Sequence, residues 1–261
     1  MLRNLLKRGL RGLRRAAGRF VILPEPEEGS FVGEHGCLRA AASFIAWNQV
    51  EGDYLEFGVF QGDSFTEACR AIQRNRALHA AVTRQTSPEY RRWLDRRPRF
   101  FAFDSFEGLP AGGGERQVDY AVGAYSCSEG QFRTNLTARG LDLDDVVVVP
   151  GFYDQSLTPQ LKRRHQLSRA AMVMIDCDLY ESTVPVLRFL TDIVGQGTII
   201  IFHDWFRFKG SPHSGEQRAA GEWLEANPHL ELLEYWREGP QAVSFLVNLK
   251  DPGQPPTHMD E

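Results

Sequence analysis

Five short apolar runs, separated by segments of helical pattern, constrain the fold of this chain more than any other feature. They are near-continuous in valine, isoleucine and phenylalanine, which is typical of strands buried on both faces of a sheet. Strands that alternate with helices favour a parallel sheet with helices on both sides. The runs are GDYLEFGVF (52–60), RPRFFAFDSF (97–106), DDVVVVPGFY (144–153), RAAMVMIDCD (169–178) and GTIIIFHDWF (197–206).

The segment LELLEYWREGPQAVSFLVN (230–248) has a different pattern and predicts a β-hairpin that turns at Glu238-Gly239-Pro240. Together with the five buried strands it predicts an α/β fold. We expect a doubly wound, mostly parallel sheet of seven strands with an antiparallel hairpin at its C-terminal end. This domain is predicted to cover residues 31–249, between an arm and linker at 1–30 and a disordered tail at 250–261.

The arm is basic. Residues 1–20 contain seven lysines and arginines and no acid, with leucines at near-helical spacing. Such a helix is able to lie on an anionic membrane surface, to pack on a partner subunit in a homo-oligomer, or to remain a mobile arm. No apolar run reaches the roughly 18 residues that a membrane-spanning helix needs.

Charge and cysteine content indicate which partners and which cellular compartment are expected. The net charge is −4 and the pI about 6.0, so no overall positive field favours nucleic acid. The four cysteines are scattered and form no CxxC pair, which predicts free thiols in a reducing compartment, the cytoplasm.

The turn after the first strand, EFGVFQG, places Glu56, Gly58 and Gly62 in a spacing that differs from the GxGxxG of dinucleotide-binding proteins. Bulky Phe60 stands where a pyrophosphate would need open backbone. The turn therefore favours a ligand without a pyrophosphate, such as S-adenosylmethionine, whose zwitterionic end meets a helix N-terminus. Glu56 is then expected to face the ammonium group; a plain strand-to-helix turn is the alternative.

The second strand ends in Asp104, at the position where nucleotide-binding folds use an acid to bind ribose hydroxyls. Phe106 is expected to flank an adenine ring. The alternative is that Asp104 only caps the following turn. The segment TRQTSPEYRRWLDRRP (83–98), before this strand, lengthens the unit and is interpreted as an insertion.

Strands four and five end in Asp176 and Asp204, and tips of neighbouring parallel strands are close enough for their side chains to meet. Two carboxylates beside a cofactor cleft suit Mg²⁺. His203 shifts the preference towards Mn²⁺, Fe²⁺ or Zn²⁺ if it is a ligand, and otherwise suits a general base. For each acid alone, loop capping or an ion pair is the alternative. Asp178 and Glu181 are interpreted as residues that orient the loop or cap the next helix.

The strings YLEFGVFQGDSF, FDSFEGLP, GFYDQSL and IDCDLYESTVPVL…GTIIIFHDW resemble the macrocin (tylosin-type) O-methyltransferases over about residues 31–248. These are Rossmann-like class I enzymes that use S-adenosylmethionine to methylate sugar hydroxyls. The resemblance implies that Ser64 and Ser105, with Glu56, Gly58 and Asp104, contact the cofactor. It also implies that Tyr153 and Asp154 border the adenine.

The resemblance further implies a Mg²⁺ site in which Asp176 is a ligand and the base, and Asp204 the second acid of a pair. His203 stands where the first acid of that pair is expected. The implied activity is O-methylation of a small-molecule or glycan hydroxyl, assisted by a divalent cation. The alternatives are a non-catalytic protein that binds S-adenosylmethionine, and a nicotinamide-dependent oxidoreductase, which the absence of GxGxxG disfavours.

Overall fold

The computed structural model describes residues 35–111 and 120–250, in which seven strands form one sheet. The strands are β1 (Asp53–Phe57), β2 (Phe100–Asp104), β3 (Val146–Pro150), β4 (Ala170–Ile175), β5 (Ile199–Phe202), β6 (Leu230–Glu238) and β7 (Ala242–Leu249). The helices in these ranges are α1 (Gly36–Trp47), α2 (Asp63–Val82), α3 (Pro88–Asp95), α4 (Glu129–Ala138), α5 (Tyr153–Ser156), α6 (Pro159–His165), α7 (Tyr180–Leu190), α8 (Arg207–Gly210) and α9 (Gly215–Ala226).

The strand order across the sheet is β3-β2-β1-β4-β5-β7-β6. The first five strands are parallel, and β7 pairs antiparallel with both β5 and β6. The prediction of a mostly parallel seven-stranded sheet with a C-terminal hairpin is confirmed. The hairpin joins the sheet through its second strand, so that β6 forms the outer edge.

Both faces of the sheet are covered, as the apolar runs predict. Alternate residues of β1 enter two separate cores: Leu55 and Phe57 pack on one face, and Tyr54 packs on the other. All five β1 residues are buried. Because each face buries large apolar side chains, removal of apolar surface from water on both sides stabilises the central strands.

The segment 83–98, interpreted as an insertion, contains a helix of its own. The side chain of Ser87 caps α3 by accepting a hydrogen bond from the backbone N–H of Tyr90, and Pro88 occupies the first turn. Tyr90 and Trp93 are buried, so α3 packs onto the domain.

Several predictions from the sequence lie outside the described residues. The basic arm and linker at 1–30 belong to this group, as does the tail at 250–261 except for Lys250. Among residues 35–111 and 120–250, no helix combines the length and the hydropathy needed to cross a bilayer.

Candidate active site

A cavity of about 770 Å³ opens at the carboxyl ends of the parallel strands. Its volume lies within the roughly 300–1,000 Å³ typical of small-molecule sites, and its position is where open α/β sheets bind ligands. Residues that follow each of the five parallel strands contribute to its wall. The predicted site residues that line it are Gly58, Phe60, Asp104, Ser105, Tyr153, Asp154, Asp176, His203 and Asp204.

The turn after β1 lies against the end of β4. Gly58 has a φ of +89°, and a Cβ built on it would lie 1.8 Å from the carbonyl oxygen of Asp176. The backbone N–H of Asp176 donates to the carbonyl of Phe57 at 2.8 Å. Glycine is therefore required at position 58 by both its dihedral angle and the close approach of two backbones.

Phe60 follows in the same turn, with 40% of its surface exposed. Its ring meets that of Tyr125 edge to face, with 6.0 Å between centroids. Both residues line the cavity, and both have positive φ angles, +40° and +58°. The turn thus presents aromatic side chains to the cavity, and its preference for a ligand without a pyrophosphate stays a prediction.

Asp104 joins the turns that follow β1 and β2. Its Oδ2 accepts hydrogen bonds from the backbone N–H groups of Val59 at 2.9 Å and Phe60 at 3.2 Å. Its Oδ1 accepts one from the N–H of Phe106 at 2.8 Å. Burial raises the pKa of Asp104, while these three hydrogen bonds act in the opposite direction. Asp104 therefore caps its own turn, as the alternative held, and also lines the cavity.

Glu56 is fully buried behind the turn and is not part of the cavity wall. Its carboxyl group accepts hydrogen bonds from the hydroxyls of Tyr54 and, at 2.6 Å, of Ser64. Burial raises the pKa of Glu56 to about 8. Its predicted contact with the cofactor ammonium group stays a prediction.

Gly62, Ser64 and Phe106 also lie outside the wall of this cavity. Gly62 precedes α2, where a Cβ would come within 2.9 Å of the Phe132 ring. Phe106 packs on the same ring, with 5.7 Å between centroids. Gly62 and Phe106 thus have a packing role, and Ser64 donates to Glu56; contact of all three with a cofactor stays a prediction.

Asp176 and His203 come together because β4 and β5 are neighbours. Ile175 pairs with Phe202, and each strand ends there, so the next residues leave the sheet side by side. The Nδ1 atom of His203 lies 2.9 Å from Oδ1 of Asp176. The negative charge of Asp176 raises the pKa of His203 to about 10, against the opposing effect of burial.

Asp204 is the most enclosed acid of the cavity wall, with 3% of its side chain exposed. Its Oδ1 accepts hydrogen bonds from Nε of Arg207 at 3.1 Å and from the hydroxyl of Tyr120 at 3.3 Å. Its backbone N–H donates to Oε2 of Glu216 at 3.0 Å. Oδ2 of Asp204 is buried and receives no N–H or hydroxyl donor from the described residues.

Asp178 belongs to this site as well, whereas the sequence suggested a role in the loop. It lines the cavity in a left-handed conformation, with a φ of +62°. Burial and the neighbouring charges of Asp204 and Asp176 raise its pKa, and its carboxyl lies within hydrogen-bonding reach of Asp204. Asp178 therefore belongs to the acidic cluster of the cavity wall, together with Asp176 and Asp204.

Asp176, His203 and Asp204 each offer one donor atom, and these atoms all lie within 4.8 Å of one another. Two carboxylate oxygens and an imidazole nitrogen suit Mn²⁺, Fe²⁺ or Zn²⁺ as well as Mg²⁺. Oδ2 of Asp204 accepts no hydrogen bond from the described residues, so it is available as the oxygen that Asp204 contributes to this set. The donor set thus fits a divalent cation.

Solved O-methyltransferase structures share this fold. The O-methyltransferase NovP superimposes with a TM-score of 0.60 at 22% identity, over 81% of this chain and 78% of NovP. The calicheamicin methyltransferase CalS11 gives 0.57 at 21% identity, over 90% of each chain. The sheet with its strand order and C-terminal hairpin is therefore the Rossmann-like fold of class I O-methyltransferases.

Residues 30–220 match the family described as macrocin-O-methyltransferase (TylF), and the chain belongs to that family. A curated relative is the 8-demethyl-8-(2,3-dimethoxy-alpha-L-rhamnosyl)-tetracenomycin-C 4'-O-methyltransferase of Streptomyces olivaceus. It is 29% identical over 175 residues, which are 64% of this chain and 58% of the relative. The match thus spans less than two thirds of that relative's length.

Proposed function

We propose that the protein is an S-adenosylmethionine-dependent O-methyltransferase that acts on a hydroxyl of a sugar, a glycoside or a related natural product. The observation that carries this proposal is the pair formed by Asp176 and His203 in the cavity beside the Gly58 turn. A proton acceptor and a ligand-binding turn share one cavity there. Membership of the macrocin-O-methyltransferase family and the sugar acceptor in the relative's name support the reaction class.

When bound, S-adenosylmethionine would supply a methyl group on its sulfonium centre to a deprotonated acceptor hydroxyl, and S-adenosylhomocysteine would be released. The chain's contribution begins with the turn after β1, whose backbone and helix N-terminus are suited to the zwitterionic end of the donor. Asp104 keeps this turn and the next in fixed relation through its hydrogen bonds to Val59, Phe60 and Phe106. Holding two reactants in register accounts for a large part of the acceleration in such reactions.

The acceptor proton passes to the pair at the ends of β4 and β5. Because the pKa of His203 is about 10, its imidazolium form prevails at neutral pH in the free protein. Asp176 is then the group able to accept a proton, and His203 stabilises the negative charge that develops on the acceptor oxygen.

A divalent cation held by Asp176, His203 and Asp204 would stabilise the same oxygen and replace the proton on His203. The closeness of these three donor atoms supports assistance by a metal ion. The preference among Mg²⁺, Mn²⁺ and Fe²⁺ follows from whether His203 binds as a ligand.

The experiment is a calorimetric titration with S-adenosylmethionine and with NAD, followed by assays with labelled methyl donor over a panel of glycosides. We expect binding of S-adenosylmethionine and methyl transfer to at least one glycoside. Binding without transfer to any acceptor would favour the non-catalytic alternative. Binding of NAD alone would favour the oxidoreductase and refute the proposal.

A further inference from the structure

Asp204 is held from three directions by side chains that come from separate parts of the chain. Tyr120 lies in the loop before α4, Arg207 lies in α8, and Glu216 lies in the first turn of α9. Tyr120 and Arg207 both donate to Oδ1, and Glu216 accepts from the backbone N–H. This arrangement fixes the carboxylate through one oxygen and leaves Oδ2 as the oxygen with no such donor among the described residues.

Tyr120 is a fully buried residue in this arrangement. Its ring lies 6.1 Å from that of Phe208, and the guanidinium carbon of Arg207 lies 5.6 Å from its centroid. Buried tyrosine hydroxyls require a hydrogen-bond partner, and here that partner includes a carboxylate of the cavity wall. The phenol thus joins the loop to the acid at the end of β5.

The chain after Asp204 follows a strained path. Phe208 and Lys209 are consecutive non-glycine residues with φ angles of +53° and +60°. Two atoms of the Phe208 ring lie 2.8 Å from the position that a Cβ on Gly215 would occupy, so only glycine leaves room for the ring there. Since strained backbone persists only where the surroundings determine it, packing of Phe208 between Tyr120 and Gly215 maintains this turn.

We propose that Tyr120 is a positioning residue for the methyl transfer. Its hydroxyl, together with Arg207, holds Oδ1 of Asp204 and so fixes this carboxylate beside Asp176 and His203. This inference rests on the proposed function and assigns a role to a residue that does not itself line the cavity. A hydrogen bond between a neutral donor and a charged carboxylate is strong enough for its loss to be measured as a rate effect.

The test is Tyr120→Phe, which removes the hydroxyl and retains the ring that packs on Phe208. We expect kcat for methyl transfer to fall about tenfold, with the Kd for S-adenosylmethionine unchanged. Tyr180→Phe is the matched control, because Tyr180 donates to Glu222 at 2.6 Å on the surface, outside the cavity wall. We expect this control to retain the kcat of the wild-type protein.

A double-mutant cycle tests the hydrogen bond between Tyr120 and Asp204 separately from turnover. Unfolding in urea is measured for Tyr120→Phe, Asp204→Ala and the double variant. We expect the two changes to be non-additive, because the second removes the partner that the first has already lost. Additive changes, a kcat for Tyr120→Phe equal to that of the wild type, or equal losses in Tyr180→Phe would overturn the inference. Absence of methyl transfer in the wild-type protein would instead refute the proposed function.

Discussion

The Nδ1 atom of His203 lies 2.9 Å from Oδ1 of Asp176, so the ends of β4 and β5 are joined by a charged pair in the cavity wall. Asp176 and His203 meet because Ile175 and Phe202, the residues that precede them, are paired in the neighbouring parallel strands β4 and β5. The resemblance places an acid at position 203, and a second carboxylate there would repel Asp176. The histidine instead supplies a donor to it.

Replacement of Asp176 by asparagine is expected to lower kcat by about 10²- to 10⁴-fold, the usual contribution of a positioned general base. The Kd for S-adenosylmethionine should change little, because the change lies at the acceptor side of the proposed reaction. Steady-state kinetics with labelled methyl donor and calorimetry measure the two quantities. Asp192→Asn is a control, since Asp192 is an exposed residue that pairs with Lys162. A kcat for Asp176→Asn close to that of the wild type would exclude this residue as the base.

Metal preference should depend on His203. An imidazole ligand favours Mn²⁺ over Mg²⁺, so we expect the wild-type protein to bind Mn²⁺ more tightly than Mg²⁺. His203→Asp should move the preference towards Mg²⁺, because it converts the donor set to oxygens alone. Calorimetric titration of both ions into both proteins checks this. Equal preferences in the two proteins would show that His203 is not a ligand.

Gly58→Ala should destabilise the protein by about 3 kcal/mol or more, because the new methyl group would overlap the carbonyl of Asp176 in a strained backbone conformation. Gly140→Ala is a matched control: Gly140 has a φ of +80°, and no described atom lies within 4 Å of the position that a Cβ would occupy there. Its cost should be about 1–2 kcal/mol, from the dihedral angle alone. Urea unfolding compares the two variants. A Gly58→Ala variant as stable as Gly140→Ala would show that the two backbones separate easily.

The buried carboxyl of Glu56 predicts a pH dependence of stability. Its pKa is about 8 in the folded protein against 4.5 for the free side chain, so the folded state binds the additional proton between these values. The contribution is fully present below pH 4.5 and is lost as the pH rises towards 8. The free energy of unfolding should therefore fall from pH 5 to 8 more steeply in the wild-type protein than in Glu56→Gln, by about 1.4 kcal/mol per pH unit at most. Urea unfolding at several pH values measures both slopes, and parallel slopes would contradict the shift.

Much of the fold could be predicted because the signals are local. Near-continuous apolar runs such as Met172–Ile175 indicate strands buried on both faces, and helical segments between them require parallel pairing. The order of the strands is less accessible. Pairing of β7 with β5 depends on contacts between residues far apart in sequence, and no local pattern specifies it.

The residues of the candidate site likewise include some with a local sequence signal and some that only tertiary packing brings to the site. Asp104 and Asp176 follow apolar runs directly and Asp204 comes one residue later, so their place at the sheet edge could be predicted. Tyr120 and Glu216 follow no strand, and they reach Asp204 only through tertiary packing. Asp178 had a signal in the repeated acids of IDCD, but its positive φ, which turns it towards Asp204, is a property of the folded loop.

The position of β7 also bears on the order of assembly during synthesis. Strand β5, which leads into His203 and Asp204, gains its outer neighbour only when residues 242–249 have left the ribosome. The N–H of Phe206, just beyond these residues, likewise bonds to the carbonyl of Gln241. Domains emerge from the N-terminus at about 5–20 residues per second, so the earlier strands are available first. The part of the cavity wall that contains His203 and Asp204 is consequently completed late, after nearly all of the described chain has been translated.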